Sequence, residues 1–245
     1  MLKKISLLLI LLSLFLAHNV NAEKITLGYV DFPPYEFEEQ DQPKGILVSI
    51  VKKVFKKAEI PLELNFMPFK RAYELTKSGR IDGLFNFYKT ENRLQHFDYS
   101  KPIINNPLVF FVRKDADIQF NKLEDLKGLK IGVMRGYTYG KAFDTSSLFS
   151  KDASNSHESN LKKVLYGRID AYPCDKLVGI YTARKHKIMS ELKILTEPLK
   201  VMKGHIGFTK GKHKDVIEKI DKVITQMLQN GKIDEAIDQY IKEGW

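Results

Sequence analysis

The sequence predicts an α/β protein of two similar lobes, each a mainly parallel sheet flanked by helices. Three observations lead there. Gly-Arg-Ile-Asp occurs twice, at Gly79 to Asp82 and at Gly167 to Asp170, each time after a helix-like run and before a strand-like one. Strand and helix patterns alternate along the chain, as they do where parallel strands are joined by helical crossovers. No low-complexity linker separates the halves, and two strand-like crossings near residues 109–114 and 199–204 would join them as a two-strand hinge. A four-residue match also recurs by chance, so the repeat alone does not decide the fold.

The elements follow in order. Met1-Leu2-Lys3-Lys4, an apolar run from Ile5 to Ala17 and Val20-Asn21-Ala22 read as a cleaved signal peptide over 1–22, which places the mature protein in the periplasm. Lys24 to Tyr29 alternates as a strand, and Asp31-Phe32-Pro33-Pro34-Tyr35 ends it in a loop, because proline cannot continue a ladder. Helical spacing over Ile46 to Ala58, a strand over Leu62 to Phe66 and a helix over Pro68 to Ser78 precede the first Gly-Arg-Ile-Asp. The glycine stops a helix and the isoleucine opens a buried strand, Ile81 to Phe87.

Leu108 to Val112 leads into the second unit. There Leu123 to Leu126 forms a short helix and Lys130 to Met134 a strand, and a glycine-bounded turn runs from Arg135 to Gly140. Asp144 to Ser159, rich in Ser, Asp and Asn, reads as irregular surface. Helices around Asn160 to Tyr166 and Val178 to Lys185 bracket the second repeat, and strands at Ile194 to Leu199 and His205 to Phe208 return to the first lobe. The tail carries the strongest helical pattern, Val216, Ile217, Ile220, Val223, Ile224, Met227 and Leu228, closed by Asn230-Gly231 before a last helix. Lobe 1 is therefore expected from 23–110 and 202–245, and lobe 2 from 111–201.

Composition narrows the function. The net charge is +10, but the lysines are scattered along helix faces and no basic run is interleaved with aromatics, which argues against nucleic acid. The single cysteine, Cys174, excludes an intramolecular disulfide. With no histidine near it in sequence, it reads as a small buried apolar residue. No metal-ligand spacing or phosphate loop is present, and no cofactor is expected.

In this order the landmarks are specific: Pro34-Tyr35-Glu36-Phe37, Gly79 to Gly83, Thr90-Glu91-Asn92-Arg93 followed by Phe97-Asp98-Tyr99-Ser100, and Asp125 to Gly128 before Ile131-Gly132-Val133. To them add Gly136 to Thr138, Gly167 to Ala171 with Asp175, and Asn230-Gly231. The mature chain resembles the periplasmic solute-binding proteins of polar amino-acid uptake systems, the family 3 bacterial extracellular solute-binding proteins, which have the type II periplasmic binding fold. The resemblance implies capture of an amino-acid-like carboxylate by hinge closure and delivery to an inner-membrane ABC permease by a monomer. It assigns Arg93 to the ligand's α-carboxylate, the Gly136-Tyr137-Thr138 turn to the same group through backbone amides, and Asp175 to the α-ammonium. Phe32, Tyr35 and Phe69 would sandwich the side chain. Arg93 also reads as a surface arginine, Asp175 as a helix cap and the aromatics as core.

Departures from the family pattern define this chain. Asn86-Phe87-Tyr88-Lys89 replaces small hydroxyl residues, putting Asn86 and Tyr88 in the expected site, and Lys89 and Arg71 add cations beside the cleft. Tyr137 and Tyr139 stand where smaller groups are common. Such a pocket is expected to prefer an acidic amino acid, another carboxylate or an aromatic ligand over a basic one. Two rival functions are a periplasmic sensor docking on a membrane receptor and an enzyme resembling cyclohexadienyl dehydratases, with Glu36, Lys89 and Asp175 as acid-base candidates.

Overall fold

Apolar residues at strand and helix spacing give the following order in the structure, a computed structural model that describes residues 24–137 and 139–242. The expected signal peptide and Thr138 fall outside the described residues. The first half holds β1 (Ile25–Tyr29), the hairpin β2 (Phe37–Glu39) and β3 (Gln42–Lys44), α1 (Ile46–Lys57), β4 (Leu62–Phe66), α2 (Phe69–Lys77), β5 (Gly83–Tyr88), α3 (Glu91–Leu94) and β6 (Phe97–Tyr99). After the long strand β7 (Ile104–Arg113) come a 3₁₀ turn at Leu123–Leu126, β8 (Lys130–Met134), α4 (Lys141–Asp144), β9 (Ser150–Ser154), α5 (His157–Leu165), β10 (Ala171–Asp175), α6 (Lys176–Lys185) and β11 (Leu192–Ile194). The chain returns through β12 (Lys200–Thr209) and ends in α7 (Lys214–Gln229) and α8 (Lys232–Lys242).

One sheet runs through both lobes in the order β4-β1-β5-β12-β7-β10-β8-β9. β4, β1 and β5 are parallel in one lobe, and β10, β8 and β9 are parallel in the other. The antiparallel pair β7 and β12 joins them, matched from Ile104 with Gly204 to Leu108 with Lys200. Beyond Leu108, β7 turns its pairing to β10 and β11. Leu108 therefore has Lys200 on one edge and Asp175 on the other. Alternation along β7 sends Val109 and Phe111 into the core that spans both lobes, and Phe110 and Val112 into a second core under the 3₁₀ turn.

The two Gly-Arg-Ile-Asp segments make the same bonds. Gly79 (φ 71°) and Gly167 (φ 64°) adopt the left-handed conformation that ends α2 and α5. Arg80 and Arg168 then close each turn by donating their amides to Leu75 O and Lys163 O. Asp82 and Asp170 each clamp the opening strand of their lobe: Thr26 N donates to Asp82 Oδ2 at 2.7 Å, and Lys130 N to Asp170 Oδ2 at 2.7 Å. In both, the aspartate amide also donates to that residue's carbonyl. The repeat is thus one helix-stop and strand-clamp device used once per lobe.

Helix faces follow their sequence pattern. α1 buries Ile46, Leu47, Ile50, Val51, Val54 and Phe55 and leaves Lys52, Lys53, Lys56 and Lys57 exposed. α7 buries Val216, Ile220, Val223, Ile224 and Met227. Among the described residues no helix is long and apolar enough to cross a membrane.

Two segments differ from the sequence reading. The polar stretch 144–159 contains β9, which pairs in parallel with β8 at the sheet's edge. Its residues are mostly exposed, so an edge strand there carries no apolar alternation, and Asp152 is held by Lys130 and Lys163 instead. Of the expected strand at Ile194 to Leu199 only Ile194 lies in a strand, the end of β11; 195–199 form the connection to β12, where Pro198 lacks the amide a ladder needs.

Candidate ligand-binding cleft

Between the lobes lies a cleft of about 360 Å³. Its floor is the hinge itself: Asn106 and Leu108 from β7, Lys200 and Met202 from β12, each pair two residues apart on one strand face. Phe32, Tyr88, Lys89, Thr90 and Arg93 form the lobe 1 wall, and Tyr137, Tyr139, His157, Tyr172, Cys174 and Asp175 the lobe 2 wall.

Arg93 is delivered by the single turn α3. Thr90 caps that turn, its Oγ1 accepting from Arg93 N at 3.3 Å. The guanidinium lies over the Phe87 ring at 4.4 Å and the Phe69 ring at 5.5 Å, and its Nη1 donates to Tyr88 O at 2.9 Å. Burial lowers its pKa, yet a guanidinium stays charged in any protein. Among the described residues no carboxylate pairs with it. Phe69 thus serves as a platform under Arg93, not as a wall of the cleft. Lys89 lines the cleft, but its ammonium sits over the Tyr99 ring, 5.4 Å from the centroid.

Asp175 ends β10 and caps α6. Its Oδ1 accepts from Leu177 N and Val178 N, both at 3.0 Å, and the Tyr35 hydroxyl of lobe 1 donates to both carboxylate oxygens at 2.8 and 3.0 Å. Asp175 therefore caps a helix and also lines the cleft. Desolvation outweighs these donors and pushes its pKa up to about 6. A raised carboxyl pKa means that the fold holds a proton the unfolded chain has released, so this group's contribution to stability falls as pH rises from about 4 to 6. Asp175→Asn, which caps nearly as well, is expected to gain on the wild type by on the order of 2 kcal/mol between pH 4 and pH 7. Urea unfolding of both proteins across that range checks the difference.

Several expected site residues occupy other places. Tyr35 is fully buried and does not line the cleft; it stacks on Phe32 at 5.6 Å and supports Asp175 from behind. Arg71 is exposed on α2 and does not line the cleft. Asn86, at φ 53°, accepts from Asn106 Nδ2 at 3.1 Å, and that amide also donates to Tyr88 Oη at 2.9 Å. Asn86 therefore positions Asn106 and does not line the cleft. Gly136 gives the turn its left-handed residue (φ 78°) and is likewise off the lining. The turn's amides are largely spent internally: Tyr137 N donates to Met134 O, while Tyr139 N and Gly140 N donate to Asp144. Glu36 is buried outside the cleft, where desolvation raises its carboxyl pKa well above the usual carboxylate range.

The structure also brings Cys174 to a histidine. His157 Nδ1 lies 3.4 Å from Cys174 Sγ and 2.6 Å from Tyr172 Oη, seventeen and fifteen residues away in sequence. Burial pushes His157 down to about 4 and the thiol up, so the pair is neutral and not a thiolate and imidazolium. No sequence signal joins positions 157 and 174. The floor residues, by contrast, carry a signal in the period-two pattern of β7 and β12.

The cleft lies between two lobes joined by two antiparallel strands, and the Arg93 guanidinium in its wall has no carboxylate partner among the described residues. The sequence model of the bacterial extracellular solute-binding proteins, family 3, matches residues 25–243. The chain belongs to that family. Among its relatives is the probable amino-acid-binding protein YxeM of Bacillus subtilis, 23% identical over 86% of this chain and 80% of the relative. A probable histidine-binding protein of Campylobacter jejuni is 27% identical over 86% and 81%. Among solved structures, the probable amino-acid ABC transporter extracellular-binding protein ytmK of Bacillus subtilis superposes with a TM-score of 0.77 at 18% identity, covering 91% of this chain and all of that one. The fold of this solute-binding protein is thus the two-lobed type II periplasmic binding architecture.

Proposed function

We propose that this protein captures a small carboxylate-bearing solute of the amino-acid class in the periplasm and, as a monomer, presents it to an inner-membrane ABC permease. The observation that carries the reading is Arg93, a half-buried guanidinium fixed on two aromatic faces with no protein carboxylate to balance it among the described residues. An incoming carboxylate supplies the missing charge through charge-assisted bonds in a desolvated site. Lobe 1, 23–110 with 202–245, and lobe 2, 111–201, would close about β7 and β12, with Phe32 and Tyr88 facing Tyr137 and Asp175 across the guest. The amino-acid ligands named for the relatives favour capture over catalysis. Calorimetry of a panel of amino acids and small organic acids against their methyl esters tests the reading. Free acids are expected to bind roughly 100-fold more tightly than their esters, the worth of a buried ionic contact. Equal affinity for acid and ester, or no binding by any acid, overturns it.

A further inference from the structure

Resting on that reading, we infer that the cleft is matched to an apolar or aromatic carboxylate whose amino group contributes little to recognition. An α-ammonium must find an acceptor of opposite charge in the cleft, since a desolvated cation without one is strongly disfavoured. The lining offers one carboxylate, Asp175, against three cationic residues, Lys89, Arg93 and Lys200. That carboxylate is already engaged by three donors: the amides of Leu177 and Val178 fill Oδ1, and the Tyr35 hydroxyl straddles both oxygens.

The Tyr35 contact matters most. It comes from the opposite lobe, from a fully buried side chain, so it is part of the packed interior and not a mobile surface bond. With that hydroxyl in place, three donors already engage a carboxylate that has roughly four acceptor sites, so an ammonium reaching Asp175 finds little capacity left. Burial also raises the Asp175 pKa to about 6, because desolvation disfavours its charged form.

Apart from Thr90 and Asn106, the rest of the lining is largely apolar or aromatic. Phe32, Tyr88, Tyr137, Tyr172, Leu108 and Met202 surround the space that Arg93 faces. The neutral His157 and Cys174 add no charge there. A basic side chain has no second carboxylate to meet, so arginine and histidine are poor guests for this cleft. A branched or aromatic body with one carboxylate on Arg93 matches both that cation and the apolar surface around it.

Matched pairs differing only in the amino group test this: 3-phenylpropanoate with L-phenylalanine, and 4-methylpentanoate with L-leucine, titrated by calorimetry alongside L-arginine and L-histidine. Within each pair the affinities are expected to agree to about threefold, with arginine and histidine at least roughly tenfold weaker than the best acid. Tyr35→Phe, which keeps the buried ring and removes the hydroxyl, is expected to shift each pair toward the amino acid by roughly tenfold. An amino acid bound more than about 30-fold more tightly than its des-amino partner, or arginine or histidine as the best ligand, overturns the inference and leaves capture of a carboxylate intact. An unchanged pair ratio in Tyr35→Phe overturns it too. Failure of every free acid to bind overturns both readings together.

Discussion

Arg93→Ala is expected to weaken binding of the best carboxylate ligand by roughly 100- to 1000-fold while leaving the unliganded protein's stability within about 1 kcal/mol of wild type. The two halves of that expectation come from one geometry. The guanidinium is held by the Tyr88 carbonyl and by the faces of Phe87 and Phe69, so its position is fixed before the ligand arrives. Bonds from a preorganised, partly desolvated cation to a carboxylate are among the stronger polar contacts, and little ordering entropy remains to be lost on binding. Without ligand, the same cation is partly buried and unbalanced, so its removal relieves desolvation while losing ring contacts. A residue retained only for packing would show the opposite: a large loss of stability and a small change in affinity. Arg93→Lys separates charge from shape, because an ammonium keeps the attraction but loses the planar fork; an intermediate loss of about tenfold is expected. Calorimetry of both variants with urea unfolding of the unliganded forms measures all of these quantities. Wild-type affinity in Arg93→Ala contradicts the carboxylate anchor directly.

The sequence made the fold legible wherever local chemistry and tertiary role agreed. Gly79 and Gly167 stop helices because a left-handed residue is needed there, and the Asp that follows each is close enough to clamp the neighbouring strand. The apolar faces of α1 and α7 are visible because each packs one side against the sheet. β9 was hidden because an exposed edge strand needs no apolar residues.

The candidate site divides in the same way. Arg93 and Asp175 are readable from motifs whose spacing is local. Tyr35 looked like a ligand-facing aromatic because sequence cannot tell a ring that lines a cleft from a ring one layer behind it; here the layer is set by its bond to a residue 140 positions away. The approach of His157 to Cys174 likewise depends on α5 packing beside β10, a long-range event with no local trace. Asn106 and Lys200 belong to the hinge strands, whose inward face becomes the cleft floor only once the lobes are set on either side.

Gly45→Ala is expected to cost on the order of 3–5 kcal/mol, because the position combines a backbone clash with a backbone conformation that side chains avoid. A Cβ at residue 45 would lie 2.3 Å from Tyr35 O, 2.6 Å from Tyr35 C and 2.8 Å from Glu36 N. Those are main-chain atoms, so no rotamer change relieves them. They are also fixed from the other side, since Ile46 N donates to Pro34 O and Leu47 N to Tyr35 O, tying the start of α1 to the loop. The φ of 119° adds strain of its own. Gly128→Ala supplies the control: its φ is 81°, but an added Cβ would meet nothing within 4 Å, so the conformational cost stands alone at about 1 kcal/mol. Urea unfolding of the two variants therefore separates clash from strain, and equal losses would contradict the steric account. Because the clash falls on the loop that carries Phe32 into the cleft and Tyr35 against Asp175, any Gly45→Ala protein that still folds is expected to show its displacement at the site: weaker ligand binding and a reduced difference between the wild-type and Asp175→Asn pH profiles when both are built on the variant background.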